Sequence, residues 1–416
     1  MTRWIGRTFA LLAGTLALAG CVSSQQAGAP SPYGGAVSLS PGSAGPVNIA
    51  PAPAAQAQAV ALLAPMTGAN AARGEALADA AKLALADQGS PRLDLRDTGG
   101  TPDGAAAAAR AAIAAGDTLI IGPLTAAETN AAARVAQPAG VPMLAFTNDP
   151  SVARPGVWTL GITPDQQVRR LIGAVLATQH NRFAALLPRD AFGNAMGGAL
   201  TESLASVGAP AADIQTYDGS LSGITPAVRQ LASDAGRSGA TTVASPAANQ
   251  PGAVQPPAPA NFDAIMLADV GGRLASITSQ LSNYDLLPPN VRILGPVLWS
   301  SPSARQGAQL DGAWYAAPEP GPRSGFDARY TQAYGSSAPG LADFAYDAAS
   351  LARALAQSGG YSLALLTRPD GFAGVDGVFA LLPNGRVRRA LALFEIHGDT
   401  AQVIQPAPTS LNVPGI

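Results

Sequence analysis

The sequence predicts an α/β protein of two lobes. From Ala59 onward, short apolar runs alternate with segments of helical periodicity, the pattern of successive βα units around parallel sheets. The alternation passes through two sets of similar length, the second restarting at Phe183. Thr118–Asp149 holds a complete βαβ unit, around which the other elements fall into place.

In that stretch the run Leu119, Ile120 and Ile121 breaks at Gly122-Pro123 and turns into Thr125-Ala126-Ala127-Glu128. This is a capping box: the Thr oxygen takes an orphan amide at the helix start and the Glu reaches back to the cap. The helix extends to about Ala136 and stops at Gln137-Pro138-Ala139-Gly140, where Pro cannot continue it and Gly suits a left-handed cap. A second buried strand, Pro142–Phe146, opens into the polar corner Thr147-Asn148-Asp149. Both strands end in small polar residues at their carboxyl edges, where open parallel sheets place ligands. An ordinary α/β core unit carries the same residues with no ligand, because fold alone does not imply function.

In chain order, Val60–Leu63 is a strand ending in Ala64-Pro65-Met66-Thr67-Gly68. A helix follows over about Ala71–Asp87, with Leu77, Ala80, Ala81, Ala84 and Leu85 on one face. Leu93–Asp97 is a strand and Gly104–Ala115 an alanine-rich helix. Beyond the central unit, the short strand Val157–Leu160 reaches Thr163-Pro164-Asp165-Gln166, a second capping box with Pro at the first helical position. Val168, Leu171, Ile172, Val175 and Leu176 then form an amphipathic stripe. The second set reads strand Phe183–Leu187, helix Asn194–Val207, strand Asp213–Tyr217, helix Ile224–Ala235, strand Ala264–Leu267, helix Gly272–Leu281 and strand Val291–Leu294. Gly236–Asn261, with Arg237 its only charge, reads as a disordered insertion in a surface loop. Gly312–Ala316 is a strand, and Phe326–Tyr334 and Leu341–Ala356 are helices. Val378–Leu382 and Val387–Phe394 flank Pro383-Asn384-Gly385 as a hairpin, for which Asn-Gly is the strongest short signal.

The N-terminus reads as an export signal. Arg3 and Arg7 precede an apolar run over about Thr8–Ala19, too short for an ordinary spanning helix. It ends Leu18-Ala19-Gly20-Cys21, which resembles the bacterial lipobox and implies cleavage before Cys21 and lipid on that residue. Cys21 is the sole cysteine, so no intramolecular disulfide can form. Val22 rather than Asp follows it, which favours the outer membrane of a Gram-negative cell, periplasmic side. Val22–Gln58 has no charged residue and is built from Ala, Pro, Gly, Ser and Gln, so it reads as a tether. It would span about 30–35 Å as a coil and roughly 115 Å as polyproline II.

Several function classes find no support. A net charge of −2 offers no basic footprint for nucleic acid. His180 and His397 stand far apart in polar turns. There is no phosphate-binding loop, no dinucleotide fingerprint, no zinc-protease motif and no nucleophile elbow. No enzyme, cofactor or metal is expected.

The order of motifs resembles the type I periplasmic binding proteins, the leucine/isoleucine/valine-binding family. Ala64-Pro-Met-Thr-Gly with Arg73-Gly74-Glu75 resembles that family's first ligand loop and helix. Ile121-Gly-Pro-Leu-Thr, Ala139-Gly-Val-Pro and the Thr147-Asn148-Asp149 corner resemble its second and third loops, and Phe262-Asp-Ala-Ile-Met-Leu-Ala and Ile293-Leu-Gly-Pro its later strands. The resemblance covers about 59–405. It implies two doubly wound, mostly parallel lobes joined by three crossovers and closing on a ligand. The implied division is a signal at 1–20, a lipid-anchored linker at 21–58 and a binding-protein-like domain at 59–406, with the insertion at 236–261. One lobe would hold about 59–163 and 319–390, the other about 164–318 and 391–406.

The same resemblance places candidate cleft residues at Thr67, Thr125, Ala126, Thr147, Asn148 and Val297. In amino-acid binders of the family, hydroxyl side chains on the second and third loops hold the ligand carboxylate, and an acid after the Gly-Pro strand holds its ammonium. The matching positions here are Ala126, Asn148 and Val297, with Thr125 and Thr147 as neighbours. An unpaired ammonium in a closed cleft is costly, which argues against a free α-amino acid. Thr163-Pro-Asp-Gln-Gln-Val-Arg, Trp299-Ser-Ser-Pro-Ser-Ala-Arg-Gln-Gly and Asp376-Gly-Val-Phe-Ala-Leu also resemble segments of the penicillin-binding protein activator family, lipoproteins whose C-terminal domain has this fold. That family's N-terminal helical-repeat domain is replaced here by the tether. The resemblance implies a regulator that reaches a peptidoglycan synthase. The alternative is the substrate-binding lipoprotein of an importer for branched-chain amino acids, amides or similar small solutes.

Overall fold

The computed structural model describes residues 58–237 and 259–411. The signal, Cys21, the tether up to residue 57 and residues 238–258 of the expected insertion lie outside the described residues.

The first sheet is parallel throughout. Its strands are β1 (Ala59–Ala64), β2 (Arg92–Asp97), β3 (Leu119–Ile121), β4 (Met143–Ala145) and β5 (Val157–Thr159), ordered β2-β1-β3-β4-β5. Between them run α1 (Ala71–Ala84), α2 (Pro102–Ala114) and α3 (Ala126–Ala136). The pleat divides β1 between two cores: Val60, Leu62 and Ala64 face one side, Ala61 and Leu63 the other. Burial on both faces is why the strand reads as an unbroken apolar run. The alanine face of α2 (Ala105, Ala108, Ala109, Ala112) meets Ala132, Ala133 and Ala136 of α3, small side chains that allow the two helices to share one layer.

The second lobe opens with α4 (Pro164–Leu176), β6 (Phe183–Pro188), α5 (Ala191–Ser206), β7 (Asp213–Tyr217) and α6 (Leu221–Asp234). It continues with β8 (Ala264–Leu267), α7 (Gly271–Ser282), β9 (Arg292–Gly295) and β10 (Trp314–Ala317). The chain then returns to the first lobe as α8 (Pro320–Tyr334), α9 (Ala342–Ala356), the single turn α10 (Leu363–Leu366) and a small antiparallel sheet of β11 (Phe372–Gly374), β12 (Gly377–Leu381) and β13 (Val387–Arg389). It ends back in the second lobe with β14 (Ala392–His397) and β15 (Thr400–Gln405). The second sheet is ordered β15-β14-β10-β9-β8-β6-β7, parallel from β10 to β7, with β14 and β15 antiparallel at one edge. α8 and α9 pack with α1 against the first sheet through Phe326, Tyr330 and Tyr346. Helices cover both faces of both sheets, so each lobe is doubly wound.

Two sequence expectations need correction. Val387–Phe394 is not one strand: it breaks at Ala390 and Leu391, and its halves belong to different lobes. All of these residues but Arg388 are buried, so the apolar run continues while the partners change. The helix expected at Phe326 starts earlier, at Pro320. Pro320 and Pro322 both fall in its first turn, where amides have no intrahelical partner and proline removes nothing.

The first and third crossovers are tied to each other. Arg389 Nη2 donates to the Leu160 carbonyl at 3.0 Å, Gln166 Nε2 to Val387 at 2.7 Å, and Arg170 Nε to Leu391 at 2.8 Å. Trp158 Nε1 adds a bond to Leu382 at 2.7 Å.

Candidate functional site

The loops after β3, β4 and β9 meet where the lobes face each other. They enclose a cavity of about 530 Å³ whose lining includes Thr125, Ala126, Thr147, Asn148 and Val297. Residues separated by more than a hundred positions thus share one site, and Phe146, Ile162 and Phe344 complete its apolar walls. Gly161, at the first crossover, lets the backbone close in: a Cβ there would lie 2.6 Å from the Thr147 carbonyl oxygen.

Thr67 lies outside that lining. Its hydroxyl donates to Asp97 Oδ2 at 2.6 Å, and Oδ1 of the same carboxylate accepts from the amides of Met66, Thr67 and Gly99. The Thr67 hydroxyl, with these amides, holds the Asp97 carboxyl below its ordinary range. Asp97 thereby fixes the loops after β1 and β2 to each other.

The cleft hydroxyls are engaged within the protein. Thr125 Oγ1 donates to Glu128 Oε2 at 2.7 Å and accepts from the Glu128 amide at 3.3 Å, the capping box the sequence indicates. Glu128 is fully buried and also accepts from Thr98 Oγ1 at 2.5 Å, which ties the second loop to the third helix. Thr147 Oγ1 accepts from the Asp149 amide at 3.1 Å. Asn148 is exposed. Across the cleft, the Val297 amide donates to Gln167 Oε1 at 2.7 Å. Trp299 packs directly on Gly295, where a Cβ would lie 2.2 Å from the ring. The one ionisable side chain in the cavity lining is Asp149, and its Oδ1 caps the amide of Ser151 at 2.9 Å. The site therefore offers apolar walls, one helix N-terminus and a single carboxylate, Asp149, that no cation pairs among the described residues.

A second cavity of about 390 Å³ shares Ile162, Val297 and Phe344 with the first and extends toward the second crossover. It is lined by Glu319, Arg323, Asp343 and Asp376 together with Tyr315 and Phe394. Arg323 is paired with Asp343, donates to Asp327 Oδ2 at 3.1 Å and to the Ala338 carbonyl at 2.9 Å. Behind Asp343, Asp347 accepts from the Val375 amide at 2.6 Å and stands 3.7 Å from Arg389 Nη1. Burial, opposed by Arg389, pushes the Asp347 carboxyl up to about 7. Burial also raises Asp343 and Asp376, and the charge of Asp376 raises Asp343 further. Sequence reading did not single out this cluster. Its trace was a pair of acids one turn apart, Asp343 and Asp347, in an otherwise apolar helix.

Among the described residues no group of His, Cys, Asp or Glu is arranged to hold a metal ion, and no helix is long and apolar enough to cross a membrane.

No curated protein sequence matches the chain significantly. Solved structures do. Full-length LpoA from Haemophilus influenzae aligns with a TM-score of 0.62 at 16% identity, over 84% of this chain and 59% of that one. The C-domain of the same protein, described as a regulator of PBP1A, aligns with a TM-score of 0.60 at 15% identity over 83% of this chain and all (100%) of that one. A branched chain amino acid ABC transporter periplasmic ligand-binding protein from Burkholderia xenovorans aligns with a TM-score of 0.60 at 17% identity, covering 84% and 96%. At these identities the likeness is one of fold. A family model described as periplasmic binding protein matches residues 57–401, and the chain belongs to that family.

Proposed function

We propose that this chain is a non-enzymatic, lipid-anchored periplasmic regulator that binds a peptidoglycan synthase and modulates cell-wall synthesis. The observation that carries this reading is the cleft chemistry. The Thr125 hydroxyl spends its proton on Glu128, and Val297 stands where an amino-acid binder would carry the acid for an ammonium group. A zwitterion closed into this cavity would lose water without gaining both charge partners. Family membership supports a periplasmic location, and the similarity to a regulator of PBP1A supports the choice of partner. A lipid at Cys21 and the uncharged tether would let the domain reach from the outer membrane toward an enzyme anchored elsewhere.

The importer reading keeps one observation in its favour: the cavity opens on the N-terminus of α3, where backbone amides suit an anionic group. Affinity isolation of the lipidated full chain from envelope extract separates the two. Co-purification of a bifunctional synthase whose polymerisation rate rises on adding the chain supports regulation. Recovery of a permease complex, with no effect on the synthase, overturns it.

A further inference from the structure

The β12–β13 hairpin belongs to the first lobe and lies hard against it. Gly385 in its turn has a φ of +87°, and a Cβ there would lie 2.2 Å from the Arg154 nitrogen and 2.5 Å from the Val157 carbonyl oxygen. No side chain fits in that space, so the turn sits flush on the segment that leads into β5. Trp158 of β5 fastens the same turn through the Leu382 carbonyl.

From that base the hairpin grips two helices of the second lobe. Gln166 and Arg170 of α4 donate to the carbonyls of Val387, in β13, and Leu391, just beyond it. In the turn, Arg386 pairs with Glu202 of α5, Nη1 to Oε1 at 2.6 Å and Nη2 to Oε2 at 3.2 Å. Asp165 and Arg169 of α4 also face this pair, Asp165 favouring the charge of Arg386 and Arg169 that of Glu202. Residues of α4 and α5 share one core with β6, so both helices move with the second lobe. A rotation of the lobes must therefore shear these contacts or lift the turn from its seat at Gly385. We infer that the β12–β13 hairpin is a strap that holds the lobes at one angle, with the Arg386–Glu202 pair as its releasable catch. Gln166 is buried, whereas both residues of the catch are exposed, so solvent competes for the catch first. An exposed pair of this kind shifts a two-state balance by up to about fivefold. Charge at the hairpin tip would thus set the lobe angle with no occupant in the cleft. The inference does not depend on which protein the chain contacts.

The distance between the lobes tests it. Spin labels at Arg110→Cys on α2 and Ser279→Cys on α7, both exposed positions, read that distance by double electron–electron resonance in the full chain carrying Cys21→Ser. We expect a single peak in this parent, with no small molecule added. Glu202→Lys, which sets two cations against each other, should move or split the peak by more than about 2 Å. Glu202→Arg combined with Arg386→Glu should recover most of that displacement, and not all of it, because Asp165 and Arg169 keep their signs. A parent already split between two distances, an unchanged peak in Glu202→Lys, or a displacement that the exchanged pair leaves uncorrected would overturn the proposal. Both side chains are exposed, so the variants alter the catch without emptying a core.

Discussion

Arg386, in the turn between β12 and β13, and Glu202 on α5 form a two-pronged ion pair at 2.6 and 3.2 Å that links the first lobe to the second. The hydrogen bond from Arg386 holds the Glu202 carboxyl below its ordinary range. Both side chains are well exposed, at 36% and 56%, so solvent screens the pair. Arg386→Ala should therefore lower stability by no more than about 1 kcal/mol in a denaturant melt. Gln166 makes the instructive contrast. It is buried, its amide donates to Val387 at 2.7 Å and its oxygen accepts from Thr163 at 3.3 Å. Gln166→Ala should cost about 1–3 kcal/mol by leaving those groups unpaired. An equal loss in the two variants would mean that burial does not set the strength of the hinge.

Glu128 is the second test. Replacing this fully buried residue by Ala removes acceptors for the Thr98 hydroxyl, the Thr125 hydroxyl and the Thr125 amide. The expected cost is about 2–3 kcal/mol, combining a lost cap with stranded donors. Glu128→Gln should recover part of it. A loss within a few tenths of a kcal/mol would show that water reaches the loop.

Stability should fall as pH rises. The folded state holds protons on Asp347 up to about 7 and on the Asp343–Asp376 pair beyond that, whereas unfolded carboxyls release theirs near 4. Wherever the native state binds more protons than the unfolded chain, stability declines with pH, by about 1.4 kcal/mol per pH unit for each proton. Asp117, pushed up to about 6 by burial and the adjacent Asp94, contributes to the lower part of that window. The melting temperature should decrease from pH 5 to pH 9, and Asp376→Asn should flatten the upper half of the curve. A profile that rises over that range contradicts the charge assignment.

A panel of the twenty amino acids should leave the melting temperature of the full chain unchanged. A ligand at a hundred times its Kd stabilises by about 2.7 kcal/mol, which is readily seen. A clear shift with leucine or a relative would return the importer reading to first place.

Cys21→Ser should abolish lipid labelling and release the protein to the soluble periplasm, since no other thiol can carry the anchor. Retention of the variant in the outer-membrane pellet at high salt would refute the lipobox assignment.

What the sequence determined by itself is local. Thr125 with Glu128 and Thr163 with Gln166 read as caps because a helix start is decided within four residues, and both boxes form where they were expected. The apolar runs of β1, β3, β4, β6 and β8 read as buried strands for the same reason: every residue in them is covered on whichever face it points. The break at Ala390 and Leu391 could not be read from the apolar run itself, which does not record which sheet supplies its hydrogen bonds. Only the tertiary structure brought Asp376 and Arg323 to Asp343 across long stretches of chain. Side-chain charge is written in the sequence, but burial is what left Asp343 Oδ1 without a partner. Desolvation depends on everything packed around a group, and no local pattern contains that information.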